Sequence, residues 1–82
     1  MIAYVLIIEK NQGEAEDQSR VLQEEGFIVN TVRDGAEALE SIISGGVRPD
    51  LLIMENSLPD MSGVGLLRRL KDLGLFVPSI MV

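Results

Sequence analysis

Short apolar runs alternate along this chain with longer amphipathic stretches, and this alternation limits the folds that the chain can adopt. The first run, residues 3–8, is apolar with no polar alternation, as is typical of a central strand buried on both faces. Similar runs occupy residues 27–32 and 51–54, and a last one follows Pro78. A parallel sheet with helical crossovers has this rhythm. The pattern therefore predicts one α/β domain over residues 1–82.

Polar residues that can cap a helix precede each amphipathic stretch. Asn11 with Glu14, and Asp34 with Glu37, have the spacing of a capping box, and Ser62 is a further N-cap candidate. Glycines, which adopt positive φ without strain, should end these helices. The predicted ends are Gly26, the Ser44-Gly45-Gly46 segment and Gly74.

Apolar residues at helical spacing give each predicted helix one face for the sheet. Helix by helix, these residues are Ala15, Val21 and Leu22; Ala36, Leu39, Ile42 and Ile43; and Leu66, Leu67, Leu70 and Leu73. Right-handed crossovers then predict the strand order 2-1-3-4. In such a sheet the winding reverses between strands one and three, and a ligand site is expected beyond their carboxyl ends.

The composition excludes several classes of function. Cysteine and histidine are both absent, which excludes a disulfide framework, a thiolate metal site and a histidine base. The net charge of −6 leaves no extended basic face, so we expect no nucleic-acid partner. The N-terminal apolar run is too short to span a bilayer. We therefore expect a cytoplasmic protein with no membrane partner.

The predicted first and third strands end in charged residues, Glu9-Lys10 and Glu55. Because the carboxyl ends of parallel neighbours meet at one edge, these residues should share a crevice. Two carboxylates in such a crevice are suitable ligands for Mg²⁺, a hard cation that prefers oxygen. The alternative is that they are solvated turn residues, which are common at strand ends.

A set of short motifs runs in order through the chain. The motifs are Glu9-Lys10, Gly26-Phe27, Asp34-Gly35-Ala36-Glu37-Ala38-Leu39, Pro49-Asp50, Glu55 and Pro59-Asp60-Met61-Ser62-Gly63. Each is weak alone, but the ordered set resembles the receiver domain of response regulators, the CheY-like family, over essentially the whole chain. The resemblance implies a flavodoxin-like parallel sheet flanked by helices.

The resemblance also implies a phosphorylation switch of a bacterial two-component system. In that family a histidine kinase or a small acyl phosphate donates a phosphoryl group to an aspartate, and Mg²⁺ is held by an acidic pair and the acceptor. Glu55 stands at the acceptor position, and Glu9 and Lys10 stand at the acidic pair. The implied metal ligands are therefore Glu9 and Glu55, and the implied partners are a histidine kinase and an output domain.

Two residues depart from the family pattern. Glu55 is one methylene longer than aspartate, and a misplacement of about 1 Å can slow an in-line transfer roughly a hundredfold. Lys10 brings a positive charge to a metal-facing position, which should weaken Mg²⁺ binding. We therefore expect no catalytic residue and no enzyme activity, with any Mg²⁺ site weak or empty and no other cofactor.

Lys10 itself has two alternative roles. Its ammonium can replace the metal and pair with Glu9 and Glu55, in which case the site needs neither Mg²⁺ nor phosphate. Alternatively, Lys10 points into solvent and Glu55 is merely tolerated at its position. The sequence leaves both roles open.

The resemblance stops within the predicted fourth strand. By the family's spacing the switch Ser/Thr follows directly after Val82, and the last β/α units lie beyond it. We therefore expect either part of a longer receiver or a chain whose fourth strand needs a partner. An uncovered strand edge presents unpaired N–H and C=O groups, which favours a homodimer through that edge.

The predicted function is that of a pseudo-receiver, a signal-transduction domain that acts through protein–protein interaction without phosphorylation. The alternative within the family is a phosphorylatable receiver with residual Mg²⁺-dependent phosphoryl acceptance at Glu55. A third hypothesis is a structural half-domain that assembles through its open edge. An aspartate-dependent phosphatase is excluded, because no aspartate directly follows the first strand.

Overall fold

The computed structural model describes residues 3–45 and 48–82, in which strands and helices alternate. The elements are Tyr4–Ile8 (β1), Gln12–Glu24 (α1), Ile28–Val32 (β2), Gly35–Ser44 (α2), Leu51–Met54 (β3), Gly63–Asp72 (α3) and Ser79–Met81 (β4). Every predicted strand and helix is present, although β1 and β2 each begin one residue later than predicted. Gly46 of the predicted helix stop lies outside the described residues.

The strands form one parallel sheet in the order β2-β1-β3-β4, which confirms the predicted winding. Ile8, the last residue of β1, pairs with Val32 of β2 and with Met54 of β3. The residues that follow these strands therefore leave the sheet at the same edge. Glu9 follows β1 and Glu55 follows β3, so the topology brings the two glutamates to one crevice.

Side chains cap all three helices at the residues that the sequence indicated. Asn11 accepts a hydrogen bond from the Glu14 amide at 3.0 Å, Asp34 from Glu37 at 2.8 Å, and Ser62 from Gly65 at 2.9 Å. Gly26 and Gly74 follow α1 and α3 with φ of +95° and +73°, the left-handed conformation that glycine adopts most readily. Within the described residues, no helix is long and apolar enough to cross a membrane.

The larger core lies between the sheet and helices α2 and α3. Leu6, Leu52 and Leu66 at its centre are fully buried. The other buried members are Ile8, Ala38, Leu39, Ile42, Met54, Leu58, Leu70 and Val77. Full burial of one large aliphatic side chain is worth about 1.5–3 kcal/mol. This side of the sheet therefore supplies most of the hydrophobic stabilisation.

The opposite side of the sheet carries a smaller core beneath α1. Its buried members are Val5, Ile7 and Val29, and Leu22 of α1 packs against them while remaining partly exposed. Ala15 is the buried residue of α1. A small alanine contributes little apolar area, so α1 is held less firmly than the two helices on the other side.

The helix faces that contact the sheet are narrower than predicted. Val21, Ala36, Ile43 and Leu73 were expected to face the sheet but are exposed. Neighbouring residues in a helix point about 100° apart, because one turn takes about 3.6 residues. Ile43 and Val21 therefore turn towards solvent once Ile42 and Leu22 face the sheet.

Strand β4 forms one edge of the sheet and carries exposed apolar side chains. Ile80 is 50% exposed and Met81 is 40% exposed. A groove of about 540 Å³ runs between α3 and the segment leading into β4. Its lining residues are Val64, Leu67, Arg68, Leu70, Lys71, Asp72, Phe76, Val77 and Ser79.

Candidate functional site

Glu9, Lys10 and Glu55 line one small cavity at the carboxyl edge of the sheet. The cavity measures about 10 Å³, and a cavity needs roughly 10–15 Å³ to hold a single water. Its remaining walls are Ile8, Arg33, Ser57, Leu58 and Pro59. The structure thus places the sequence-predicted site residues together around one small pocket that is partly open to solvent.

Glu9 is the buried acidic residue of this site, with 6% of its surface exposed. Its Oε2 accepts a hydrogen bond from the Asn11 amide at 2.9 Å, and its own amide donates to the Val32 carbonyl at 2.9 Å. A buried carboxylate is costly unless it is hydrogen-bonded, and the Asn11 amide supplies that bond. Glu9 is therefore held in place by the turn between β1 and α1.

Glu14 is a member of the site that the sequence interpretation missed. Oxygens of Glu9, Glu14 and Glu55 all lie within 4.8 Å of one another. The capping-box spacing had assigned the Glu14 side chain to the Asn11 amide, but Glu9 takes that amide instead. The Glu14 carboxylate consequently points to Glu9 and Glu55, and three carboxylates meet where two were expected.

Lys10 forms no ion pair with Glu9 or Glu55. Within the described residues, the only ion pair between side chains closer than 4.0 Å joins Arg20 to Asp17. Lys10 is exposed to solvent and is one of the residues that line the cavity. The described residues therefore contain no ion pair through which Lys10 would replace a metal ion, and its role stays a prediction.

Arg33 is a second cation beside the site that the sequence interpretation missed. It lines the small cavity together with Lys10, and both also line a wider cleft of about 420 Å³ on the α1 side. Arg33 follows directly after β2, so it reaches the same edge of the sheet as Glu9. Two cations therefore flank the three carboxylates.

The loop after Glu55 forms the outer wall of the cavity. The Gly63 amide donates to the Asn56 carbonyl at 2.7 Å, and the Leu58 amide donates to the Met61 carbonyl at 2.9 Å. Leu58 is buried and belongs to the larger core. This loop, residues 56–62, is therefore closed by its own backbone bonds and anchored by one apolar side chain.

Asp60, near the tip of this loop, binds the first turn of α2. Its Oδ1 accepts from the Gly35 amide and its Oδ2 from the Ala36 amide, each at 2.9 Å. The hydrogen bond from Gly35 lowers the pKa of Asp60 below its ordinary value, the bond from Ala36 adds to this effect, and partial desolvation opposes it. The sequence interpretation took Pro59-Asp60 only as a turn and missed this contact.

Comparison with known proteins assigns the family. The response regulator receiver domain, as a family, matches residues 5–82 of this chain. The chain belongs to the response-regulator receiver family. Receiver domains are in general signalling domains rather than enzymes, and their flavodoxin-like, CheY-like fold is the fold described above.

Individual relatives agree with this assignment. The transcriptional regulatory protein DltR of Streptococcus agalactiae is 33% identical over 76 residues, which make up 93% of this chain and 33% of that protein. The response regulator MprA of Mycobacterium ulcerans is 30% identical over 82 residues, which make up 100% of this chain and 34% of that protein. This receiver chain therefore spans about a third of the length of these curated relatives.

A solved receiver structure shows the same architecture. The chemotaxis response regulator CheY4 of Vibrio cholerae superimposes with a TM-score of 0.85 at 28% sequence identity. The match covers 99% of this chain and 68% of the CheY4 chain. The receiver fold is therefore retained across the described strands and helices.

Proposed function

We propose that this receiver domain of a two-component response regulator is a pseudo-receiver, which signals by protein–protein contact without being phosphorylated. The observation that carries the proposal is the charge around Glu55. Two cations, Lys10 and Arg33, stand in the wall of the same pocket, where a transferred phosphoryl group would need a bound metal ion. Leu58 and Pro59 line this pocket from the loop side.

The identity of the side chain at the acceptor position supports the same proposal. Glu55 carries its carboxylate one methylene further from the backbone than aspartate does. In-line transfer depends on near-exact placement of the reacting oxygen, and an error of about 1 Å can lower the rate roughly a hundredfold. The domain is accordingly proposed to have no catalytic residue and no enzyme activity.

The cations beside the site argue against firm Mg²⁺ binding. Lys10 and Arg33 both line the cavity next to Glu55. A fixed positive charge near a dication site raises the free energy of the bound metal, and the effect is large at short range. Any Mg²⁺ held by Glu9 and Glu55 is therefore proposed to be weakly bound.

A second candidate function rests on Glu14. Its carboxylate joins those of Glu9 and Glu55 within 4.8 Å and supplies an oxygen donor that the family pattern does not require from this position. Three carboxylates are a suitable ligand set for a hard divalent cation. The second candidate is a receiver that retains Mg²⁺-dependent phosphoryl acceptance at Glu55.

The proposed partners are those that response regulators share, a histidine kinase and an output domain, in the cytoplasm. The relatives support this choice, since DltR and MprA carry the names of a transcriptional regulatory protein and a response regulator. Pairing of two copies through β4 is a further proposed contact, because this edge strand carries the half-exposed Ile80. Neither nucleic acid nor membrane is a proposed partner of this domain, which carries a net charge of −6.

Amide NMR spectra of this chain test the proposal, recorded before and after addition of Mg²⁺ and then beryllofluoride, a mimic of the acyl phosphate. The pseudo-receiver predicts dispersed peaks that do not move at Glu9, Lys10 and Glu55. A matched double variant, Lys10→Asp with Glu55→Asp, restores the family's acidic residues and should show Mg²⁺-dependent shifts. Shifts confined to the site of the unaltered chain would favour the second candidate instead.

A further inference from the structure

Two polar contacts tie the loop 56–62 to a helix that is distant in sequence. The carboxylate of Asp60 accepts from the Gly35 and Ala36 amides, both at 2.9 Å. These amides belong to the first turn of α2, where backbone N–H groups have no partner within the helix. The remaining amide of that turn, Glu37, is capped by Asp34. Asp60 is thus the partner of two amides that the helix cannot satisfy.

An apolar contact reinforces this connection. A Cβ atom added to Gly35 would lie 2.6 Å from the Sδ of Met61, which shows how closely Met61 packs on the start of α2. Met61 is partly buried and packs against the larger core. Loop residues 60 and 61 therefore hold α2 by a charged contact and a packing contact side by side.

Backbone hydrogen bonds within the loop connect Asp60 with the loop residues that line the cavity. The bond from the Leu58 amide to the Met61 carbonyl and the bond from the Gly63 amide to the Asn56 carbonyl close the loop on itself. Ser57, Leu58 and Pro59 belong to this loop and line the same pocket as Glu9 and Glu55. A loop closed in this way moves as a unit, so its tip and its cavity wall shift together.

We propose that Asp60 is a positioning residue that clamps the 56–62 loop against α2 and thereby fixes the loop wall of the pocket beside Glu55. Without the clamp, the loop loses both side-chain hydrogen bonds to α2, and its wall gains freedom to shift relative to Glu55. Because Asp60 joins the loop to the first turn of α2, a shift of α2 should also shift the loop residues that line the cavity. This role is the same whether or not Glu55 accepts a phosphoryl group.

Amide hydrogen exchange tests the clamp directly, with Asp60→Ala compared against Asp34→Ala. Each variant removes a carboxylate that accepts from first-turn amides of α2, but Asp60 alone belongs to the loop. We expect Asp60→Ala to speed exchange at the Leu58 and Gly63 amides about tenfold or more, since hydrogen bonds to a charged group contribute substantially. Asp34→Ala should leave these two amides unchanged.

Two further variants separate a positioning role from general loss of stability. Asp60→Asn keeps one carbonyl acceptor and should fall between Asp60→Ala and the unaltered chain in both exchange rates. Gly35→Ala drives a methyl group against Met61 and should shift the Glu55 amide resonance, although Gly35 lies on α2. Equal exchange at Leu58 and Gly63 in the Asp60→Ala and Asp34→Ala variants, or an unmoved Glu55 resonance in Gly35→Ala, would overturn the proposal.

Discussion

The core beneath α2 and α3 and the crevice at the carboxyl edge of the sheet depend on different properties of their side chains. The core consists of apolar side chains such as Leu6, Leu52 and Leu66, whose contribution depends on volume and burial. The crevice gathers Glu9, Glu14 and Glu55 beside two cations, and its chemistry depends on where single atoms lie. The comparison teaches that packing and ligand chemistry depend on different residues of this receiver. Substitutions at Glu55 and Lys10 alter charge and reach but leave the buried core untouched.

The largest effect is expected from a cavity in the core. Leu66→Ala removes a fully buried side chain from α3 and should lower the free energy of unfolding by about 2–5 kcal/mol. Urea denaturation followed by circular dichroism measures the change. Leu73→Ala, at a position that is 55% exposed, is the control and should stay within about 0.5 kcal/mol. Similar decreases in the free energy of unfolding for both variants would show that the buried Leu66 and the exposed Leu73 do not differ in their contribution to stability.

Substitutions in the crevice should have the opposite effect to substitutions in the core. They should change ligand binding strongly and the free energy of unfolding only slightly. Lys10→Asp with Glu55→Asp replaces a cation by a carboxylate and restores the shorter acceptor. We expect Mg²⁺ affinity to rise about tenfold or more, which corresponds to roughly 1.4 kcal/mol. Isothermal titration calorimetry measures the affinity, and thermal melting of the same samples should show little change. A double variant that fails to fold would show that the crevice, too, is part of the packing.

Acid should weaken the contact between the loop and α2. Because the pKa of Asp60 is lower in the folded chain than in the unfolded chain, its contribution is complete above the ordinary carboxyl pKa. The contribution is lost as the pH falls through the folded value. Asp60→Asn should therefore reduce the acid-dependent part of the thermal stability as the pH falls below the ordinary carboxyl value of about 4. Melting curves of both chains over this range make the comparison, and parallel curves would contradict it.

The smallest effect is expected from an exposed ion pair on the outer face of α1. Arg20 and Asp17 form an ion pair at 3.4 Å, with side chains that are 65% and 74% exposed. Exposed pairs at this helical spacing contribute about 0.5 kcal/mol or less. Arg20→Ala should therefore leave the urea midpoint almost unchanged, with any difference vanishing in high salt. A loss above about 1 kcal/mol would mean that α1 is held by more than its small core.

The fold could be predicted from sequence because its determinants are local. Apolar runs located the strands, Asn11, Asp34 and Ser62 located the helix starts, and Gly26 and Gly74 located two helix ends. Each of these signals involves residues within a few positions of one another. The strand order followed from the handedness of the crossovers.

The site was predicted less completely because its contacts are not local. Asp60 lies 25 residues from Gly35, and only the folded sheet brings them together. Asp50 similarly accepts from the Tyr4 amide at 2.7 Å across a separation of 46 residues. Both aspartates belong to motifs to which the sequence interpretation assigned no long-range contact. Glu14 was missed for a different reason, since Glu9 competes with it for the Asn11 amide.

The most direct test of the pseudo-receiver is incubation of this chain with Mg²⁺ and acetyl phosphate, followed by intact mass spectrometry after an acid quench. The pseudo-receiver predicts that the mass stays unchanged. A gain of one phosphoryl group that disappears in Glu55→Gln would contradict it and would establish Glu55 as a phosphoryl acceptor.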